Sequence, residues 1–263
     1  MHISSITLFL ASGLAVRSAS CTVKAAPSSS SAAANSSASL PGYDGPGSYI
    51  PSTVSGNTLS FGQHYAVLNL DLINGLVGSV ASSTQGQAFI KNTRAWIDTV
   101  HAQVPPPLSI FTRIYFANAR KPEIKPGGGF SKVSAGLTTA DDPKTQIYPA
   151  FTVDSAAGDV VLQKTGYYAG TGNELENILC AQSIDTVILS GIRTSGVILS
   201  TTYRLFDLGY KVYIIANNSI ETPPQGTEIN NAILDGIIPK IPGDVITVEQ
   251  AIAALARSGP AVY

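Results

Sequence analysis

Thr186-Val-Ile-Leu-Ser-Gly-Ile-Arg-Thr-Ser-Gly-Val-Ile-Leu-Ser-Thr-Thr202, followed by Asp207-Leu-Gly-Tyr-Lys-Val-Tyr-Ile-Ile215, is the stretch that decides the fold. The apolar run Thr186 to Leu189 reads as a strand buried on both faces, and Lys211 to Ile215 reads as a second. Between them the chain turns at Gly191 to Gly196 and enters a helix ending near Gly209. Strand, turn, helix and strand in this order form a parallel unit. Strand-to-helix turns of this kind aim backbone N–H groups into a cleft and are common places for chemistry in α/β folds.

The same alternation extends in both directions. Tyr65-Ala-Val-Leu-Asn-Leu70 reads as the first strand, followed by a helix from Thr84 to Gln103. Leu108-Ser-Ile-Phe-Thr-Arg-Ile-Tyr-Phe116, introduced by three prolines, is the second. Asp159-Val-Val-Leu-Gln-Lys164 is the third, with a helix over Asn173 to Gln182, and a short strand Asp244-Val-Ile-Thr247 follows late in the chain. The expected fold is α/β: a three-layer, Rossmann-like domain with a mostly parallel central sheet covered by helices on both faces. Residues 59–263 are enough for one core and not comfortably two. One segment breaks the rhythm, Ala119 to Ala157, rich in proline and holding Gly127-Gly-Gly129. Loops this long are lids, binding loops or oligomer contacts, or else decorated surface insertions.

The chain opens with Ile6-Thr-Leu-Phe-Leu-Ala-Ser-Gly-Leu-Ala-Val16, an apolar core too short to span a bilayer, with Ser18 and Ser20 as small residues near a cleavage point. Residues 1–20 are therefore expected to be a secretory signal and the protein to be secreted. Residues 21–58 are rich in Ser, Ala, Gly and Pro and read as a flexible leader. Asn35-Ser-Ser37 and Asn217-Asn-Ser219 fit the glycosylation sequon. The formal net charge is −1 and no basic face is clustered, which argues against nucleic acid. No later stretch is apolar enough to place the mature form in a membrane. The two cysteines are Cys21 and Cys180; a disulfide between leader and helix is one reading, and a free Cys180 buried in its helix is the expected one. The three histidines, His2, His64 and His101, show neither metal-ligand spacing nor the company of a Gly-x-Ser-x-Gly turn. Metal and serine-hydrolase chemistry therefore fall away. Gly170-Thr-Gly172 lacks the rest of a dinucleotide fingerprint, so no cofactor is expected, and Asn173 reads as a helix cap.

Two charged residues end strands. Asp71 follows the first and Lys164 closes the third, both at the carboxyl edge where parallel sheets bind ligands. Taken singly, Asp71 reads equally as a turn cap and Lys164 as a solvated strand end. Together with the turn at 193–197 they make an acid, a base and a helix start at one edge.

Three blocks in order carry a family resemblance: Asn69-Leu-Asp-Leu-Ile-Asn74, Gln163-Lys-Thr-Gly-Tyr-Tyr-Ala-Gly-Thr-Gly-Asn-Glu-Leu175 and Gly191-Ile-Arg-Thr-Ser-Gly-Val197. From Phe61 to Ala254 the chain resembles the isochorismatase-like hydrolases, also called the cysteine hydrolases. The resemblance puts Asp71 at the family's acid, Lys164 at its lysine and Val197 at its nucleophilic cysteine. It also puts Ile192-Arg193 where the family often has a cis peptide. Ile73 stands where a glutamine is usual, and an aromatic is missing around Ala169-Gly170. The Asp-x-His metal pattern of the nicotinamidase branch is absent after the second strand.

A valine cannot form a thioester, and no histidine is placed to activate Thr194, Ser195 or Ser200. The true isochorismatases of this superfamily also lack the cysteine. They cleave a vinyl ether by protonating an enol carbon and adding water. The resemblance thus implies a hydrolase of a small carboxylated molecule, working through Asp71 and Lys164 without a cysteine, and the signal-like first residues imply that it is secreted. A raised pKa would let Asp71 deliver the proton. The turn residues Arg193, Thr194, Ser195, Gly196 and Val197 are expected to bind substrate, with Arg193 and Lys164 as partners for its carboxylates. The rival reading is a non-catalytic binding or scaffold protein that kept the fold, and self-association into a homo-oligomer is open.

Overall fold

The computed structural model describes residues 58–241 and 243–263. The expected signal and leader lie outside these residues except for Thr58. Among the described residues the strands are β1 (Tyr65–Leu70), β2 (Ser109–Ile114), β3 (Val160–Lys164), β4 (Thr186–Ile192), β5 (Lys211–Ile220) and β6 (Asp244–Ile246). They form one six-stranded sheet in the order β3-β2-β1-β4-β5-β6, every pairing parallel. The helices are α1 (Asn74–Val77), α2 (Thr84–His101), α3 (Gly129–Val133), α4 (Leu175–Ala181), α5 (Leu199–Asp207), α6 (Gly226–Asn231) and α7 (Val248–Ser258). None is long and apolar enough to cross a membrane.

Strand alternation sends the core to two faces. Ala66, Leu68 and Leu70 pack with Leu175 and Leu179 of α4 and Leu205 of α5. Tyr65 and Val67 pack with Trp96 and Val100 of α2 and with Ala251, Ala254 and Leu255 of α7. Both faces of β1 and β4 are buried at every position, as their unbroken apolar runs predict. Burying each of these larger side chains stabilises the fold by about 1.5–3 kcal/mol. Gly191 sits where β4 presses on β1, paired with Leu70 at φ +148°, and a Cβ there would lie 2.1 Å from the Leu70 carbonyl oxygen. The strand order reverses between β1 and β4, so the crevice of an open α/β sheet falls at their carboxyl ends.

Several details depart from the sequence reading. β5 runs on to Ile220, so Asn217-Asn-Ser219 lies within a strand. There the Asn217 Oδ1 accepts from the Val248 N–H at 3.2 Å and the Ser219 hydroxyl donates to the Ile215 carbonyl at 3.0 Å. β6 stops at Ile246 because Thr247 caps α7, trading hydrogen bonds with Gln250 in a capping box. The N-cap of α4 is Glu174 rather than Asn173, which stands one residue earlier and whose Oδ1 accepts from the Leu175 N–H at 3.0 Å. Cys180 is neither buried nor free. It is half-buried and disulfide-bonded. Leu175 and Leu179 carry the buried stripe of α4, and the next residue is rotated off it. The chain's other cysteine, Cys21, lies outside the described residues.

The Ala119 to Ala157 segment has structure of its own: α3, a 3-10 turn at Pro143–Thr145, and bridges Phe116↔Thr139 and Ile73↔Ile147. Arg113 of β2 ties it down, its Nε donating to the Thr145 carbonyl at 2.7 Å and its Nη2 to Ala140 at 2.8 Å.

Candidate active site

Asp71 is the first residue beyond β1 and is held in the left-handed region at φ 56°. Aspartate tolerates that conformation better than most residues, and such positions concentrate at functional sites. The Thr112 hydroxyl of β2 accepts from the Asp71 N–H at 2.9 Å and donates to the Asp71 Oδ1 at 2.6 Å. Lys164, the last residue of β3, places its Nζ 2.7 Å from the Asp71 Oδ2 and donates to the Tyr167 carbonyl at 2.9 Å. The adjacent strands β1, β2 and β3 thus supply a carboxylate, a hydroxyl and an ammonium that meet at one edge. Burial raises the Asp71 pKa against the opposing pull of Lys164 and Thr112. Burial likewise lowers that of Lys164, which the Asp71 charge opposes.

The Ile192-Arg193 peptide is cis, and Thr194–Ile198 forms a π-helical turn leading into α5. The turn's groups are spent largely on the protein itself. The Ser195 N–H donates to the buried Glu221 Oε2 at 2.8 Å, and the Gly196 N–H to the Arg193 carbonyl at 3.1 Å. The Thr194 hydroxyl donates to the Asn230 Oδ1. Gly196 lies under the Tyr167 ring, which a Cβ would meet at 2.7 Å. Arg193 stands 3.8 Å from the Glu221 Oε1, with a partly exposed side chain.

Asp71, Arg193 and Val197 line one narrow cavity of about 20 Å³, with Ile114, Ile192, Phe130, Val133, Ser134 and Tyr167 among its other walls. That is room for little more than one water. Lys164 is not among the lining residues. Its Nζ is taken up by the Asp71 Oδ2 and the Tyr167 carbonyl. Thr194, Ser195 and Gly196 also lie outside the lining. α3 from the long segment forms the roof, where Phe130 packs edge-on against Tyr167 at 5.7 Å between centroids. A larger cavity of about 150 Å³ lies on the other side of the turn, lined by Phe89, Asn217, Glu221 and Asn230. The narrow cavity is the candidate site because it is lined by Asp71, the buried acid paired with Lys164. Among the described residues no three His, Cys, Asp or Glu side chains come together to hold a metal ion.

Thr112, Tyr167 and Phe130 belong to this site, Glu221 holds the adjoining turn through Ser195 and Arg193, and all four escaped the sequence reading. Tyr167 was the most accessible, three residues after Lys164, where it supplies an aromatic wall close to the place where one was missing. Glu221 had no such signal.

An isochorismatase domain model matches residues 65–250. The chain belongs to the isochorismatase family. No curated protein matches it in sequence. An isochorismatase-family protein from Burkholderia thailandensis is similar in structure, with TM-score 0.63 and 24% identity over 75% of this chain and 98% of that one. A cysteine hydrolase from Pseudomonas syringae pv. phaseolicola gives TM-score 0.62 at 15% identity over 74% and 93%. The N-carbamoylsarcosine amidase of Thermoplasma acidophilum gives 0.55 at 18% over 70% and 96%. At these identities the likeness establishes the fold. Within the isochorismatase family of hydrolases, this member carries Val197 in the turn after β4 and a buried Asp71–Lys164 pair beside it.

Proposed function

We propose that this isochorismatase-family chain is a secreted hydrolase that cleaves an enolpyruvyl ether of the isochorismate type with no covalent enzyme adduct. The observation that carries the reading is the Asp71–Lys164 contact of 2.7 Å at a cavity walled by Val197. Protonated Asp71 gives its proton to the terminal enol carbon. Water then adds to the ether-bearing carbon, its proton returning to the Asp71 carboxylate, and the hemiketal collapses to pyruvate and the ring alcohol. Lys164 favours the carboxylate that is left behind. Arg193, only loosely held by Glu221, offers its fork to a substrate carboxylate. A metabolite needs far more than the present cavity, since small-molecule pockets run to about 300 Å³ or more. The roof around Phe130 therefore has to lift for substrate to enter.

Purified protein supplied with isochorismate and related enolpyruvyl ethers is expected to release pyruvate, read by a coupled dehydrogenase, and Asp71→Asn to stop it. A folded protein that releases none from the panel overturns this substrate class. The crowding of the cavity by Ile114, Ile192, Phe130 and Val197 favours the second reading, a binding protein. Saturable binding of such an acid without turnover would select it. Export is tested separately, by recovery from the medium of a chain that begins near Cys21.

A further inference from the structure

Thr112 is fully buried, and all its side-chain hydrogen bonds go to one residue. A hydroxyl has one proton to give and two lone pairs. Here the proton goes to the Asp71 Oδ1 at 2.6 Å and one lone pair takes the Asp71 N–H at 2.9 Å. The two bonds close a ring that fixes both the backbone turn after β1 and the plane of the carboxylate. Reversing the hydroxyl, so that Oδ1 carried the proton and donated it, would leave the Thr112 proton buried without an acceptor. A buried donor without a partner bears its full desolvation cost.

We infer that Thr112 is a positioning residue that keeps the Asp71 Oδ1 an acceptor and confines the transferable proton to Oδ2, the oxygen 2.7 Å from the Lys164 Nζ. The inference rests on the reading of Asp71 as the proton donor. It adds which oxygen acts, and it makes the Oδ2–Nζ pair the single reservoir of the proton. The charged groups facing Asp71 are Lys164 from β3 and Arg193 across the cavity. Neither can do the work of a neutral donor on Oδ1.

The test compares Thr112→Val, which keeps the shape and loses the hydroxyl, with Thr112→Ser, which keeps the hydroxyl. Asp71 is followed by carboxyl-carbon NMR in the full chain without substrate. Thr112→Val is expected to raise the proton affinity of Asp71 by about tenfold, the effect of losing one hydrogen bond to a charged acceptor. Thr112→Ser is expected to titrate as the wild type does. In the pyruvate assay Thr112→Val should lower kcat with KM little changed, and Thr112→Ser should restore it. Equal titration in all three proteins, with only the melting temperature moved, overturns the inference. If Thr112→Val does not fold, the wild type decides. The Thr112 hydroxyl proton must then be protected from exchange and shift as Asp71 titrates, and a hydroxyl resonance that stays unmoved through that titration overturns it. These titrations need no turnover, so their failure is separable from failure of the hydrolase reading, which the pyruvate assay decides.

Discussion

The Lys164 Nζ lies 2.7 Å from the Asp71 Oδ2, with the two side chains 0% and 4% exposed, so the ion pair is closed off from solvent. Taking both charges out of water costs much of what their attraction returns. The pair is therefore weak evidence for stability. Removing one partner is expected to be far worse than removing both. Lys164→Met should destabilise by about 3 kcal/mol, and Asp71→Asn combined with Lys164→Met should recover most of the loss. Urea unfolding at neutral pH measures this, and a double variant as unstable as the sum of the singles would contradict it.

The pH dependence follows from the direction of the two shifts. Asp71 is raised by burial, so it stays protonated above the ordinary carboxylate range and loses its proton as pH rises through the raised value. Turnover that needs the acid form should therefore hold at low pH and fall on the alkaline side. For stability, the contribution of Asp71 is complete below the ordinary carboxylate value and is lost as pH rises through the folded one. Lys164 is lowered, so its contribution is present above the ordinary lysine value and is lost as pH falls through the folded one. Removing both groups should flatten the stability profile between these limits, as read by thermal melts across pH.

Val197→Cys tests whether the turn keeps a nucleophile position. With Cys180 in a disulfide, the new thiol is the reactive one under non-reducing conditions. A thiol in the turn before α5 favours the thiolate, but the present cavity admits little more than a water. Slow alkylation by iodoacetamide is expected, accelerated several-fold when Phe130→Ala opens the roof. An unchanged rate in the double variant would mean that Phe130 does not control access.

Gly191→Ala probes the β1–β4 contact. Its Cβ would meet the Leu70 carbonyl at 2.1 Å and the glycine sits at φ +148°. The strands must part to admit a methyl, at a cost of about 2 kcal/mol or more. A melting temperature equal to the wild type's would refute this account of the glycine.

The strand positions and the parallel sheet were legible in the chain because they depend on local pattern. Runs such as Tyr65-Ala-Val-Leu-Asn-Leu70 and Thr186-Val-Ile-Leu189 have no polar face, and only a strand covered on both sides accommodates them. The boundaries that moved did so through contacts with other segments, as when Asn217 was drawn into β5 facing the start of α7.

By itself the sequence determined an α/β domain with a parallel sheet, an acid and a lysine at the carboxyl edge, and a valine in the turn after β4. Chain order and apolar periodicity suffice for this much, since each strand carries its own signal. Only the tertiary structure decided that Thr112, 41 residues from Asp71, holds its carboxylate, and that Glu221 rather than a ligand takes the Ser195 N–H. It also decided that Phe130 roofs the cavity and that the Lys164 Nζ is spent on the Asp71 Oδ2 and the Tyr167 carbonyl. These relationships join segments distant in sequence through single hydrogen bonds and side-chain packing. A single hydrogen bond or one packed ring leaves no periodic trace in either segment, so the contact exists only once the sheet has brought both to one edge.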